Sequence, residues 1–208
     1  MNALEGRHSY EPAQGHGLAH DPFNALVAPR SIGWIGSRSA AGVANLAPYS
    51  FFNAFAYRPP TIGFASEGRK DSLANIEETR VFTWNLATRA LAERMNATSA
   101  TVDGMVDEFA LAGLGAIEGR VVAAPLVAES PVGFECRVSD IVRLRTAAGA
   151  AMNNWLVIGE VVAVHIDRSL IVDGVYDTAA AHPIMRDGGP ADYFEIDPSA
   201  RFRMRRPE

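Results

Sequence analysis

The stretch NLAPYSFFNAFAYRPP, from Asn45 to Pro60, alternates as a strand does. Tyr49, Phe51, Phe55 and Tyr57 fall on one face, and Ser50, Phe52, Ala54 and Ala56 on the other. Asn53 interrupts the first face with an amide. Pro59–Pro60 then forces a turn or an edge, because proline has no N–H for a ladder. Working outward, RSIGWIGSR (Arg30–Arg38) reads as a strand and SAAGVANL as a hairpin turn around Gly42. TIGFAS (Thr61–Ser66) reads as the strand after Pro60.

Helical signals follow. Asp71 or Ser72 can N-cap the segment LANIEETR, whose apolar side is Leu73 and Ile76. VFTWNLA returns as a strand, and TRALAERMNATSA as a second helix with Leu91 and Met95 at i,i+4. VDEFALAGL gives a further helical turn or two, with Gly113 or Gly115 able to end it. The second half is mostly strand. SPVGFECRVSDIVRLR is one long candidate, and NNWLVIGEVVAVHID, the most apolar run, predicts the central core strand. Gly159 inside it suggests a bulge or a close backbone approach. RSLIVDGVYD contains an Asp-Gly turn, and HPIMRDGGPADYFEI is loop-rich and ends in a short strand. Many strands in meander order, with helices inserted between two groups of them, predict a mainly β barrel rather than a βαβ sheet.

The chain has 208 residues, enough for one substantial core. We expect a polar, flexible arm over residues 1–20 and a single domain over 21–208. The arm's His8, His16 and His20 read as incidental rather than as a metal site. With 48% hydrophobic and 21% charged residues, the chain has the profile of a globular protein. A net charge of −5, without a basic stripe interleaved with aromatics, argues against nucleic acid as a partner. The arginine-dense piece from Arg201 to Arg206 reads as surface decoration. No secretory leader and no apolar run of about 20 residues is evident, so the expectation is cytoplasmic, with no membrane partner. The lone Cys136 reads as a core residue beside Phe134 and rules out a disulfide framework.

Several chemistries are excluded by spacing. The nearest approach to G-x-G-x-x-G is GLGAIEG from Gly113, which has one residue too many and follows a helix. GFASEGRKDS spaces Gly63 and Gly68 as a P-loop would, but Arg69 stands at the lysine position and Lys70 at the hydroxyl position. No HExxH or GxSxG occurs, and no metal site is expected. His165, in an apolar strand, reads as a satisfied core or rim histidine.

SEGRKDS (Ser66–Ser72) remains. The chain has 19 basic residues, and Lys70 is the single lysine among them. Ser66, Arg69, Lys70 and Ser72 sit just before a helix start, where free backbone N–H groups favour an anion, most simply a phosphate. The alternative is two solvated cations and a capping Asp71. In NLAPYSFFNA, the small polar groups Asn45, Ser50 and Asn53 among aromatics suit a flat, heteroatom-edged ring. The alternative there is a strand with a wet face.

These two stretches, with MNATSA, DEFALAGL, AESPVGFECRVSDIV and NNWLVIGEVVAVHID in that order, make the chain resemble the flavin reductase-like family, the FMN-binding split barrels. The likeness covers roughly Pro29 to Tyr193. It implies a six-stranded antiparallel Greek-key barrel, paired as a homodimer and holding FMN, or FAD in some members. It also implies Asn45, Ser50, Phe52 and Asn53 along the ring and ribityl chain, and Ser66, Arg69, Lys70 and Ser72 at the phosphate. Asn96, Thr98 and Ser99 would reach the flavin edge, and Arg186 and Tyr193 would close over the ring. Ser72 stands where the family usually has threonine, and Pro190 departs from the usual closing loop. The implied activity is NAD(P)H:flavin reduction, hydride passing from the nicotinamide to flavin N5, with no catalytic side chain beyond the flavin's own chemistry. A monooxygenase or another electron acceptor would be the partner. The alternative is a non-enzymatic, flavoredoxin-like electron carrier on the same flavin site.

Overall fold

The computed structural model describes residues 4–207, so the first three residues of the expected arm lie outside it. A short helix α1 (Phe23–Leu26) precedes the strands β1 (Gly33–Arg38), β2 (Ala44–Tyr49), β3 (Phe52–Tyr57) and β4 (Pro60–Glu67). Then come α2 (Asp71–Thr79), β5 (Val81–Asn85), α3 (Ala92–Ala97) and α4 (Glu108–Leu111). A small hairpin, β6 (Ala116–Glu118) with β7 (Pro125–Val127), leads into the long pair β8 (Val132–Arg145) and β9 (Ala151–Ile166). Two further hairpins close the chain: β10 (Ile171–Val172) with β11 (Val175–Tyr176), and β12 (Ile184–Arg186) with β13 (Tyr193–Glu195).

Seven of these strands form one antiparallel sheet in the order β2-β1-β5-β8-β9-β4-β3. A flat sheet of that order would set its two edges about 29 Å apart, at about 4.8 Å per strand. Yet β2 and β3, the two edges, are joined by Ser50–Phe51 alone, a link that spans about 10 Å at most. The sheet must therefore curl until its edges meet. The Ala65 N–H on β4 donates to the Phe51 carbonyl at 2.8 Å, which carries the β3–β4 ladder into the link itself, and β4 also touches β2. With β2 and β3 taken as halves of one bent strand, this is a six-stranded barrel, and the fold is a split barrel.

The bend changes the simple alternation of Asn45–Pro60. Tyr49 is buried and Phe51 is not, and β3 is exposed from Asn53 onward. A bulge between Ala54 and Ala56 resets the register a second time. β9 is also less central than its composition predicts. It lies between β8 and β4, but only Val157, Gly159 and Val161 are buried, and Val164 is half exposed. At Gly159 a Cβ would run into the Phe82 ring, which is the close approach the glycine signals.

Strand periodicity sorts the core into two parts. Ile35, Tyr49, Phe64, Phe82, Cys136 and Val157 fill the barrel, and Leu73 and Ile76 of α2 join them. Trp34 and Leu46 point the other way, beneath Leu91, Met95 and Phe109 of the helical segment. Cys136 is fully buried inside the barrel, and burial pushes its thiol up. His165 sits on the rim: its Nε2 meets Glu135 Oε1 at 2.7 Å. Glu135 is itself fully buried, and its carboxylate also accepts from the N–H groups of Arg120, Val121 and Val122. The three backbone donors thus hold the β6–β7 loop against the barrel.

Candidate functional site

α2 and α3 both run to the edge strand β2, and a groove opens where they meet it. One part, about 270 Å³, lies among Asn45, Tyr49, Lys70, Ser72, Ser99, Thr101 and Glu108. The other, about 250 Å³, lies among Ser50, Met95, Asn96, Arg186, Pro190 and Tyr193. Pro48, Tyr49 and Ser99 line both, so the two parts are continuous.

The first part is built for an anion. α2 is nine residues long, and neither Asp71 nor Ser72 caps it. The N-cap is Lys70, in extended backbone, and no side chain bonds the first amides. The first turn closes with Ala74 N–H on Lys70 O at 3.0 Å, which leaves the Asp71, Ser72 and Leu73 N–H groups at the helix mouth. Ser72 is buried and accepts from Asn45 Nδ2 at 2.8 Å. With that lone pair used, its own O–H is free to donate into the groove. The backbone N–H groups of Thr101 and Val102, on the opposite wall, have no hydrogen-bond partner among the described residues.

Tyr49 makes the floor between the two parts. Its hydroxyl is buried and lies near the Ser66 and Ser72 hydroxyls, but makes a well-aligned bond to neither. Burial raises the phenol's pKa, and the serines offset this only in part. An orphaned buried hydroxyl beside a set of free donors fits a site that a polar ligand completes.

The second part is roofed by the β12–β13 hairpin. Arg186 donates to the carbonyls of Asp192 and Pro190 at 2.6 and 2.7 Å, and its guanidinium lies 4.8 Å from the Tyr193 ring centre. Arg30 anchors this roof. Its backbone exchanges two hydrogen bonds with Arg186, and its side chain reaches Asp187 O and Ser50 Oγ. Burial and the neighbouring Arg186 lower the Arg30 pKa, while Asp187 raises it.

The groove gathers Asn45, Ser50, Lys70, Ser72, Asn96, Thr98, Ser99, Arg186 and Tyr193 from the sequence expectations. Thr98 contributes little polarity, since its hydroxyl accepts from Trp34 Nε1 and donates to Met95 O. Four residues lie off the groove. Phe52 stacks on Trp84, ring centres 5.7 Å apart, and lines a separate apolar cavity of about 470 Å³. Asn53 is exposed and accepts from the Ala54 N–H. Ser66 is fully buried and donates to Gly68 O. Arg69 turns outward to Glu77, 2.5 Å away. Both asparagine and phenylalanine follow the Ser50–Phe51 bend, which swings β3 to the far edge of the sheet. Three groups were not singled out by the sequence. Tyr49 was hidden in an aromatic face, Arg30 looked like the start of a strand, and Glu108 looked like an exposed helix carboxylate. Among the described residues, no three His, Cys, Asp or Glu side chains are grouped to hold a metal ion, and no helix is long and apolar enough to cross a membrane.

Comparison with known proteins places the chain among relatives of the same fold. The family described as "Flavin reductase like domain" matches residues 27–183. An uncharacterized protein of Halalkalibacterium halodurans is 34% identical over 169 residues, 78% of this chain and 80% of that one. Among solved structures, nitrilotriacetate monooxygenase component B from Bacillus cereus superposes with a TM-score of 0.84 at 28% identity, over 94% of this chain and 98% of its own. The 2-nitrobenzoate 2-nitroreductase of Pseudomonas fluorescens gives 0.78 at 26% identity, over 100% and 96%.

Proposed function

The chain belongs to the flavin reductase-like family, and from that premise we propose that it is an FMN-dependent oxidoreductase using NADH or NADPH as its electron donor. The observation that carries the reading is the uncapped N-terminus of α2, with Lys70 and the Ser72 hydroxyl beside it, at one end of a continuous groove. A phosphate monoester fits there, through the Asp71, Ser72 and Leu73 amides. Asn45, Ser99 and Thr101 would flank the ribityl chain. Pro48, Ser50 and Asn96 would border the ring beneath Arg186 and Tyr193. When bound, FMN would supply the hydride-accepting N5, so the side chains need only hold and shield it.

The protein's part is orientation and exclusion of water. Arg30 and Arg186 fasten the roof to Ser50 and to the loop carbonyls, which sets the depth of the ring end. The dinucleotide donor would bind transiently at the open face. That accords with a sequence that has no dinucleotide fingerprint. The likeness to a monooxygenase component supports a second protein as the acceptor of the electrons. A homodimer in the cytoplasm completes the reading. Its support is the row of exposed aromatics Phe51, Phe55 and Tyr57, more apolar surface than one barrel needs.

An anaerobic spectrum of the purified protein with FMN, before and after NADH and then NADPH, tests this. Bleaching of the visible flavin band within seconds is the expected result, and it names the donor. A bound flavin that dithionite bleaches and neither nucleotide does would replace the enzyme with an electron carrier. No bound flavin would overturn the reading.

A further inference from the structure

Lys70, the α2 amides and Ser72 account for capture of an anion, and none of them explains Glu108. This residue is 6% exposed, yet it lines the anion end of the groove. Its Oε2 accepts from the Leu46 N–H of β2 at 3.2 Å. A buried carboxylate beside a phosphate would be a repulsive neighbour at close quarters.

The charges around it are few. On its own element, Asp107 caps α4 by accepting from the Phe109 and Ala110 N–H groups. From α2 come Lys70 and Asp71, and from β2 only the Tyr49 phenol. The 99–102 wall carries no ionisable side chain. Asp71 also lines this part of the groove, with its carboxylate against Gly104, whereas Glu108 is buried beneath it. Burial pushes the Glu108 carboxyl up. Its own N–H and that of Leu46 pull it down, and Asp71 and Asp107 push it up again, so that it lies above the usual carboxylate range.

We propose that Glu108 is a proton-dependent reader of the ligand's phosphate: protonated, it donates a hydrogen bond to the phosphate, and ionised, it repels it. The inference rests on the flavin reading of this groove and adds to it a pH at which the flavin is let go. The sign follows from linkage. Binding that requires a proton weakens as pH rises through the pKa of the group, by up to about tenfold per pH unit for one proton.

The test is a fluorescence titration of FMN and of riboflavin, which lacks the phosphate, from about pH 5.5 to about pH 8.5. Wild type should bind FMN progressively more weakly toward the alkaline end and riboflavin evenly throughout. Glu108→Gln keeps an acceptor for Leu46 and offers a permanent donor. Its FMN affinity should hold or improve with pH, because the phosphate completes its second ionisation near about pH 6. Asp71→Asn should move the onset of weakening to lower pH, since Glu108 then ionises sooner. Superimposable wild-type and Glu108→Gln profiles would overturn the proposal. So would an equal loss for FMN and riboflavin at every pH, the mark of a purely structural role. If circular dichroism shows Glu108→Gln unfolded, an unshifted onset in Asp71→Asn overturns it instead. If wild type binds neither flavin at any pH, the flavin reading itself fails, and this one with it.

Discussion

Ser72 uses one hydroxyl for two tasks: it accepts from Asn45 and is left with a proton to donate. Ser72→Ala removes that donor and also strands the Asn45 amide. A hydrogen bond to a charged partner contributes about 1.5–3 kcal/mol, so FMN affinity should fall by about ten- to a hundredfold. Riboflavin affinity should change little, and parallel fluorescence titrations separate the two. Glu135 tests stability instead. Burial pushes its carboxyl up, but the bonds from His165, Val121, Val122 and Arg120 outweigh burial and hold it below the usual range. A group so lowered stabilises the fold above its unfolded value, and the contribution is lost as pH falls through the folded value. Glu135→Gln should therefore cost about 2–4 kcal/mol near neutrality, with donors left facing an amide. The gap from wild type in urea melts should shrink below pH 4.5, the ordinary carboxylate value. At this scale the sequence was readable where chemistry is local. Lys70 stood out as a lone lysine before a helix. Glu108 and Tyr49 did not, because their meaning comes from burial, which no residue type announces.

At the scale of elements, α2 shows a conflict between stability and binding. Its N-cap is a lysine with no side-chain bond to the first turn, a position that aspartate or serine would fill better. Lys70→Asp should add about 1 kcal/mol of stability and raise the melting temperature by about 2–4 °C. It should also weaken FMN by more than about tenfold, because it replaces an attracting charge with a repelling one at a charge-assisted contact. Calorimetry and a flavin titration on the same sample check both halves. A rise in both stability and affinity would remove the phosphate from this helix. The helix itself was legible from Leu73 and Ile76, but its start was not. Both Asp71 and Ser72 are capping types, and only the fold shows that Asp71 turns to Gly104 and Ser72 to Asn45. The β6–β7 hairpin escaped notice for a related reason. Its strands are three residues each, and Glu135 holds the intervening loop from a distant strand.

At the scale of the whole molecule, the barrel follows from one connection. β2 and β3 are sheet edges joined by Ser50–Phe51, and alternation alone suggested one straight strand there. The strand order that forces closure depends on pairings between residues far apart in the chain, such as Ile62 with Gly159. No local pattern carries that information; the order of family blocks did. Closure also leaves a problem. β3 pairs with β4 alone, and it carries Phe55 at 54% and Tyr57 at 81% exposure. An edge strand with bare aromatics invites pairing unless something covers it. The cover expected here is a second copy. Sedimentation should give a mass of twice 22.3 kDa. A double variant, Phe55→Glu with Tyr57→Glu, should shift it toward one chain. Both side chains face outward, so the barrel should keep its melting temperature within a few degrees. A wild-type mass of one chain would sink the dimer, and a variant that stayed paired would move the interface away from β3.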